Sequence, residues 1–179
     1  MKLLRAIPVR VVVCAAAAML AIVEGAVPAL AQPAPSGNLV VLTDFVLGGA
    51  GLAPEVPSCV QLSQFSQGTA IIIRTRVLDG ATGQELSDAD LSSVQVTLDG
   101  GIVLNERYGG HPGGPGATVT DHFWSAAWRI PADYPTGAVQ VAVTATANDG
   151  RTAAWMPFNV AASDLTVIPG PPPGASSAQ

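Results

Sequence analysis

Few side chains in this 179-residue chain are suited to chemistry, and three of them stand out: Cys59, His111 and His122. The two histidines are the only ones present; His111 lies near the start of a run from Gly109 to Thr120 that holds five glycines and two prolines, and His122 lies just beyond its end. Such a run has no apolar face to bury and reads as one long exposed loop, the kind of segment that often carries function. Folded back on itself, it would bring the two imidazoles together. Cys59 would then complete a His₂Cys set, a donor combination that suits copper. The spacing matches no standard zinc pattern, and two histidines on a loop are also ordinary solvated residues. Other chemistry finds less support. A serine hydrolase needs a nucleophile, a histidine and a carboxylate, and no Gly-x-Ser-x-Gly elbow is present. A thiol enzyme would pair Cys59 with His111 or His122, yet Cys59 opens an apolar strand-like run to Leu62. Asp88 and Asp90 form an acidic turn without the longer calcium-loop pattern. The expectation is therefore a protein that is not an enzyme.

The N-terminus sets the compartment in which this chemistry would operate. Lys2, Arg5 and Arg10 precede an apolar stretch from Val11 to Val23, and Ala29-Leu30-Ala31 follows as a small-x-small cleavage site. Residues 1–31 thus read as a signal peptide, and the apolar stretch is shorter than the roughly 20 residues that span a bilayer. The expected location is periplasmic or extracellular, with no membrane span after cleavage. Cleavage would remove Lys2, Arg5, Arg10 and Glu24, leaving five arginines and twelve acids, a formal charge of −7. That surface disfavours nucleic acid. Cys14 would leave with the signal, so Cys59 is then a lone thiol that is buried, paired with another molecule, or a ligand.

The elements that must position these residues are strands. Residues 32–38 form a flexible lead rich in Pro, Ala and Ser, and residues 169–179 a disordered Pro/Gly/Ser tail. Between them, Leu39 to Leu47 is a first strand and Cys59 to Leu62 a short second one, with the run to Gly68 a turn. Thr69 to Asp79 has the clearest period of two, with Ile71, Ile73 and Val77 on one face and Arg74 and Arg76 on the other. Ser87 and Asp90 cap what reads as one helical turn. Val94 to Leu98 and Ile102 to Tyr108 form a hairpin around Asp99-Gly100. Trp124, Ala126, Trp128 and Ile130 share one face of the next strand, with Phe123, Ser125, Ala127 and Arg129 on the other. Core packing is the expected role of the indoles, because Val139, Val141 and Val143 follow with matching alternation. Asn148-Asp149-Gly150 is a second hairpin, Phe158 and Val160 finish its return strand, and Pro157 marks a sheet edge. Leu165 to Ile168 is a final short strand. The expected fold class is all-β: a single antiparallel β-sandwich of about seven to nine strands over residues 39–168.

The run Trp128-Arg-Ile-Pro, Tyr134-Pro-Thr-Gly137, Val141-Ala-Val-Thr-Ala, Asp149-Gly-Arg-Thr and Phe158-Asn-Val resembles the last three strands of immunoglobulin-like modules in exported bacterial proteins. The small periplasmic FixH, YtkA and CopC-like sandwiches share that layout. The resemblance implies an immunoglobulin-like fold. It also implies copper as a ligand, since CopC-like modules bind copper, although their histidine clusters and Met-rich stretches are not matched here. The expected function is an exported, non-catalytic module that binds another protein as an accessory to a periplasmic or membrane-associated system. A homo-oligomer is a further partner of that kind. The alternative is a periplasmic copper-binding or carrier protein using Cys59, His111 and His122.

Overall fold

The computed structural model describes residues 37–49, 58–111, 118–119, 121–158, 160 and 164–171. All of them belong to one compact unit, Ala34–Gln179. The signal-peptide reading and most of the C-terminal tail lie outside the described residues, as does the central part of the Gly/Pro loop.

Alternation at β-branched positions builds the first sheet. Strands β1 (Leu39–Leu47), β3 (Ala70–Asp79), β7 (His122–Arg129) and β6 (Arg107–Gly110) lie side by side in that order, antiparallel throughout. Ile71, Ile73 and Val77 are fully buried, and the intervening Arg74 and Arg76 are not. A second antiparallel sheet has the order β10 (Thr152–Trp155), β9 (Val141–Ala147), β4 (Leu91–Leu98) and β5 (Ile102–Asn105). The buried faces of both sheets enter one hydrophobic cluster. Trp124, Trp128 and Phe45 come to it from the first sheet, and Val94, Val96, Val143 and Ala145 from the second. The fold is all-β, and among the described residues no helix is long and apolar enough to cross a membrane.

Eleven strands are described, because short ones add to the alternating set. Strands β2 (Gln64–Ser66), β11 (Leu165–Ile168) and β8 (Gly137–Val139) form a small third sheet in which β2 and β11 run parallel. Its Phe65, Val139, Leu165 and Val167 are buried in the same cluster. The run read as a turn before Gly68 therefore contains a strand. The segment read as a second strand, Cys59 to Leu62, instead runs along the free edge of β1 through a single bridge between Val46 and Gln61.

Three connections differ from the local reading. Strand β7 pairs with β3 and β6, not with the valine strand that follows it, because the chain crosses between sheets over residues 130–136. The turn after Leu98 has three residues, Asp99–Gly101, with Gly100 and Gly101 both at positive φ, and pairs Leu98 with Ile102. The return strand ends at Asn105. At Glu106 the chain leaves the second sheet and continues in the first as β6. The segment Ser87–Leu91 is a hydrogen-bonded turn: the Ser87 amide and hydroxyl both donate to Asp90 Oδ2 at 2.9 Å.

Candidate functional site

The outward face of the first sheet carries the residues with chemical potential. In β7, Trp124 and Trp128 turn inward and are 5% and 6% exposed, so Phe123 and Ser125 point outward. In β3, the same alternation presents Arg74 and Arg76. Arg74 is fixed by a two-point contact with Asp44 of β1, Nε to Oδ1 at 2.8 Å and Nη2 to Oδ2 at 2.6 Å. The Arg74 pKa is raised above its ordinary value, chiefly by that hydrogen bond, with smaller contributions from charge at Asp44 and at Cys59. Arg74 also lies over the ring of Phe123, with Cζ 5.7 Å from its centroid.

His111 approaches the same aromatic ring, centroid to centroid at 5.8 Å. Its backbone amide donates to the Asp121 carbonyl at 2.8 Å, extending the β6–β7 ladder by one pair. Cys59 Sγ meets His111 Nε2 at 3.7 Å, a contact between residues 52 positions apart. Cys59 holds a positive φ of 61°, a conformation uncommon for a residue with a side chain. Its amide donates to the Leu47 carbonyl at 2.7 Å, which anchors the turned residue at the end of β1. Cys59, His111, Arg74, Arg107 and Phe123 line a cleft of about 300 Å³. A second cleft of about 310 Å³ shares Arg74 and Phe123 with it and extends over Asp44, Arg76 and Asp121.

The expected three-ligand set is brought together only in part. Cys59 and His111 meet, but His122 does not join them. Gly110 pairs with His122 in the β6–β7 register, and the His122 ring stacks on Tyr108 at 5.9 Å. Tyr108 in turn packs on buried Trp124, so His122 stands on the opposite face of the ladder from His111. Among the described residues, no group of three or more His, Cys, Asp or Glu side chains is placed to hold a metal ion. Adjacent strand positions face opposite ways, and His111 and His122 fall on opposite phases of the ladder.

Two further features escaped the sequence reading. The first is the segment after β10. The strand ends at Trp155, and Met156, Phe158 and Val160 stand out at 69%, 82% and 55% exposed. They do not complete a strand against the core. Pro157 withholds the amide that pairing would need at that position. Met156 and Pro157 flank a groove of about 530 Å³ whose other walls include Leu98, Val139 and Val141. The second feature is Glu106, 5% exposed at the crossover between the two sheets. Its Oε1 accepts from Thr75 Oγ1 at 3.1 Å, and Thr75 lies 3.0 Å from Thr43 Oγ1. Its Oε2 is buried without a partner among the described residues. Burial pushes the carboxyl up from 4.5 to about 8, against the smaller lowering effect of the Thr75 bond.

Comparison with protein-family models, with curated proteins and with solved structures finds no match to this chain.

Proposed function

We propose that this protein is an exported, non-catalytic binding module of immunoglobulin-like sandwich form. It docks another protein of a periplasmic or membrane-associated system through the Met156–Val160 segment. The observation that carries this reading is the exposure of three large apolar side chains at alternate positions beyond β10. An aromatic side chain left in water is not a contribution to folding, whereas burying one against a partner contributes about 1.5–3 kcal/mol. Aromatic and Met residues are the types enriched at such contacts. The formal charge of −7 for the chain after residue 31 fits a surface that avoids nucleic acid.

A Phe158→Asp variant tests this reading. Substitution at a position 82% exposed is expected to leave the melting temperature unchanged. Binding to the partner recovered from the exported fraction is expected to weaken about tenfold to a hundredfold. Unchanged binding overturns the assignment of this segment. Sedimentation of the purified protein distinguishes a second copy as the occupant, since self-association would then be lost in the same variant.

One observation favours a second reading, copper binding: the 3.7 Å approach of Cys59 and His111. Thiolate and imidazole are donors that suit copper, and this reading uses two of the three residues first considered. Metal analysis of the purified protein checks it. Stoichiometric copper that disappears in His111→Ala would support a carrier, and copper retained in that variant would reject this site.

A further inference from the structure

We propose that residues 102–110 form a pH-gated strap, which leaves both sheets when Glu106 ionises while the remaining strands stay paired. The strap consists of β5, Glu106 and β6. Each of its two strands has four residues and pairs on one side only, β5 with β4 and β6 with β7. Ile102, Leu104 and Tyr108 pack against the core but are only partly buried. From Ile102 to Gly110, only Glu106 is buried. The inward anchor of the strap is therefore a group that can take a charge. One of its oxygens accepts from Thr75 at 3.1 Å, and the other is buried without a partner among the described residues. A carboxylate held there lacks the bonds that would offset its lost hydration. Thr75 lies on β3, which is flanked on both sides and fixed in the core by Ile71, Ile73 and Val77. The edge strands are the elements that yield, because segments with little buried surface open at the lowest free energy.

Uncharged side chains surround the carboxyl. Thr75 of β3 meets it, with Thr43 of β1 behind, and by register Val94 of β4 and Ala126 of β7 stand beside it. The inward residues of β9 are Val141, Val143, Ala145 and Ala147. Asp44, Arg74 and Arg76 belong to the outward phase of their strands, as do Arg107 and Arg129. Tyr108 and His122 share the inward phase and stack on each other. The Tyr108 pKa is raised above its ordinary value, chiefly by burial and further by Glu85, Asp88 and Asp90, so it stays neutral while Glu106 titrates. Release of the strap separates Tyr108 from Trp124 and removes Arg107 to Gly110, one wall of the cleft at Cys59. The strap is separate from the Met156–Val160 segment, so neither reading rests on the other.

The Glu106 carboxyl titrates at about 8 with the strap closed and at about 4.5 once it is open in water. The proton holds the strap shut, so closure weakens as pH rises through that window and levels off above it. Amide hydrogen exchange of the purified protein between pH 5 and 9, with the intrinsic rates divided out, tests this. The Glu106 and His111 amides report on the strap through their bonds to the Val94 and Asp121 carbonyls, at 2.9 and 2.8 Å. Amides of β3 and β9, strands flanked on both sides, report on global unfolding. Opening at the two strap amides is expected to exceed that of β3 and β9 at every pH and to rise about tenfold per pH unit up to about pH 8. Glu106→Gln is expected to make it independent of pH. Thr75→Val, which removes the donor that favours the ionised form, is expected to keep the slope and carry it beyond pH 8. Equal opening in strap and core, a strap indifferent to pH, a slope that survives Glu106→Gln, or an unmoved plateau in Thr75→Val overturns the proposal.

Discussion

Replacing Glu106 with Gln is expected to raise stability near pH 8 and to remove most of its decline between about pH 4.5 and 8. The carboxyl sits at the crossover between the sheets, 5% exposed, with one oxygen hydrogen-bonded to Thr75 and the other without a partner among the described residues. Neither Thr75 nor Thr43 beside it carries charge to offset ionisation. In the folded protein its pKa is about 8, and in the unfolded chain it returns to about 4.5. The folded state therefore holds a proton that the unfolded state has released across that window. Unfolding free energy falls as pH rises through it, because the slope follows the difference in bound protons. The contribution of the neutral carboxyl is fully present below about pH 4.5, declines above that, and is lost once pH passes about 8. At 1.36 kcal/mol per pH unit, the full swing is on the order of 5 kcal/mol, an upper bound if the crossover relaxes to admit water. Gln keeps the shape and the hydrogen bond without a charge to ionise. Urea titrations of both proteins at pH 5, 7 and 9 check this, and parallel curves would contradict the burial of a neutral Glu106.

Replacing Trp128 with Ala is expected to cost about 3–5 kcal/mol of stability, the range for deleting a buried indole. Trp128 projects inward from β7 and is 6% exposed. Tyr134 stands edge-on to it, with ring centroids 5.1 Å apart and planes at 80°, so Trp128→Ala also deletes an aromatic contact. Trp155 is only partly buried at the edge strand β10, where it meets Phe45 at 6.0 Å. Trp155→Ala should cost less, which makes it the control. Chemical denaturation of the two variants measures the difference. Equal costs would mean that β7 does not face the shared core.

Residues with strong local alternation were legible in the sequence. Ile71, Ile73 and Val77 inward with Arg74 and Arg76 outward follows from period two alone, as does the inward phase of Trp124 and Trp128. The hairpin at Asn148-Asp149-Gly150 was also legible, and it joins β9 to β10. What escaped was non-local. Alternation through Ile102, Leu104, Glu106 and Tyr108 continues across a change of sheet, so a periodic pattern cannot report that crossover. The pairing of β7 with β3, whose facing residues lie 49 to 59 positions apart in the chain, carries no local signal. Strands of three residues, such as β2 and β8, are too short to display a period. The candidate site shows the same division. Cys59 and His111 stood out by residue type, but their contact depends on the turned backbone at Cys59 and on β6 joining the first sheet. The separation of His111 from His122 follows from strand alternation, once His111 is known to extend the ladder rather than sit in the loop. Phe158 matched a strand pattern, yet pairing in the second sheet stops at Trp155, one residue before Met156-Pro157.

The proposed docking role is tested most directly by placing a photoreactive benzoyl-phenylalanine at position 158, with position 103 as an exposed control on β5, in the protein expressed in its native host. Val103 is 53% exposed and lies away from the Met156–Val160 segment in the chain. One discrete protein adduct is expected from position 158 and none from position 103. An excess of unlabelled wild-type protein should compete that adduct away, and Phe158→Asp should not. Illumination that yields no adduct at 158, or the same adducts from both positions, would contradict it.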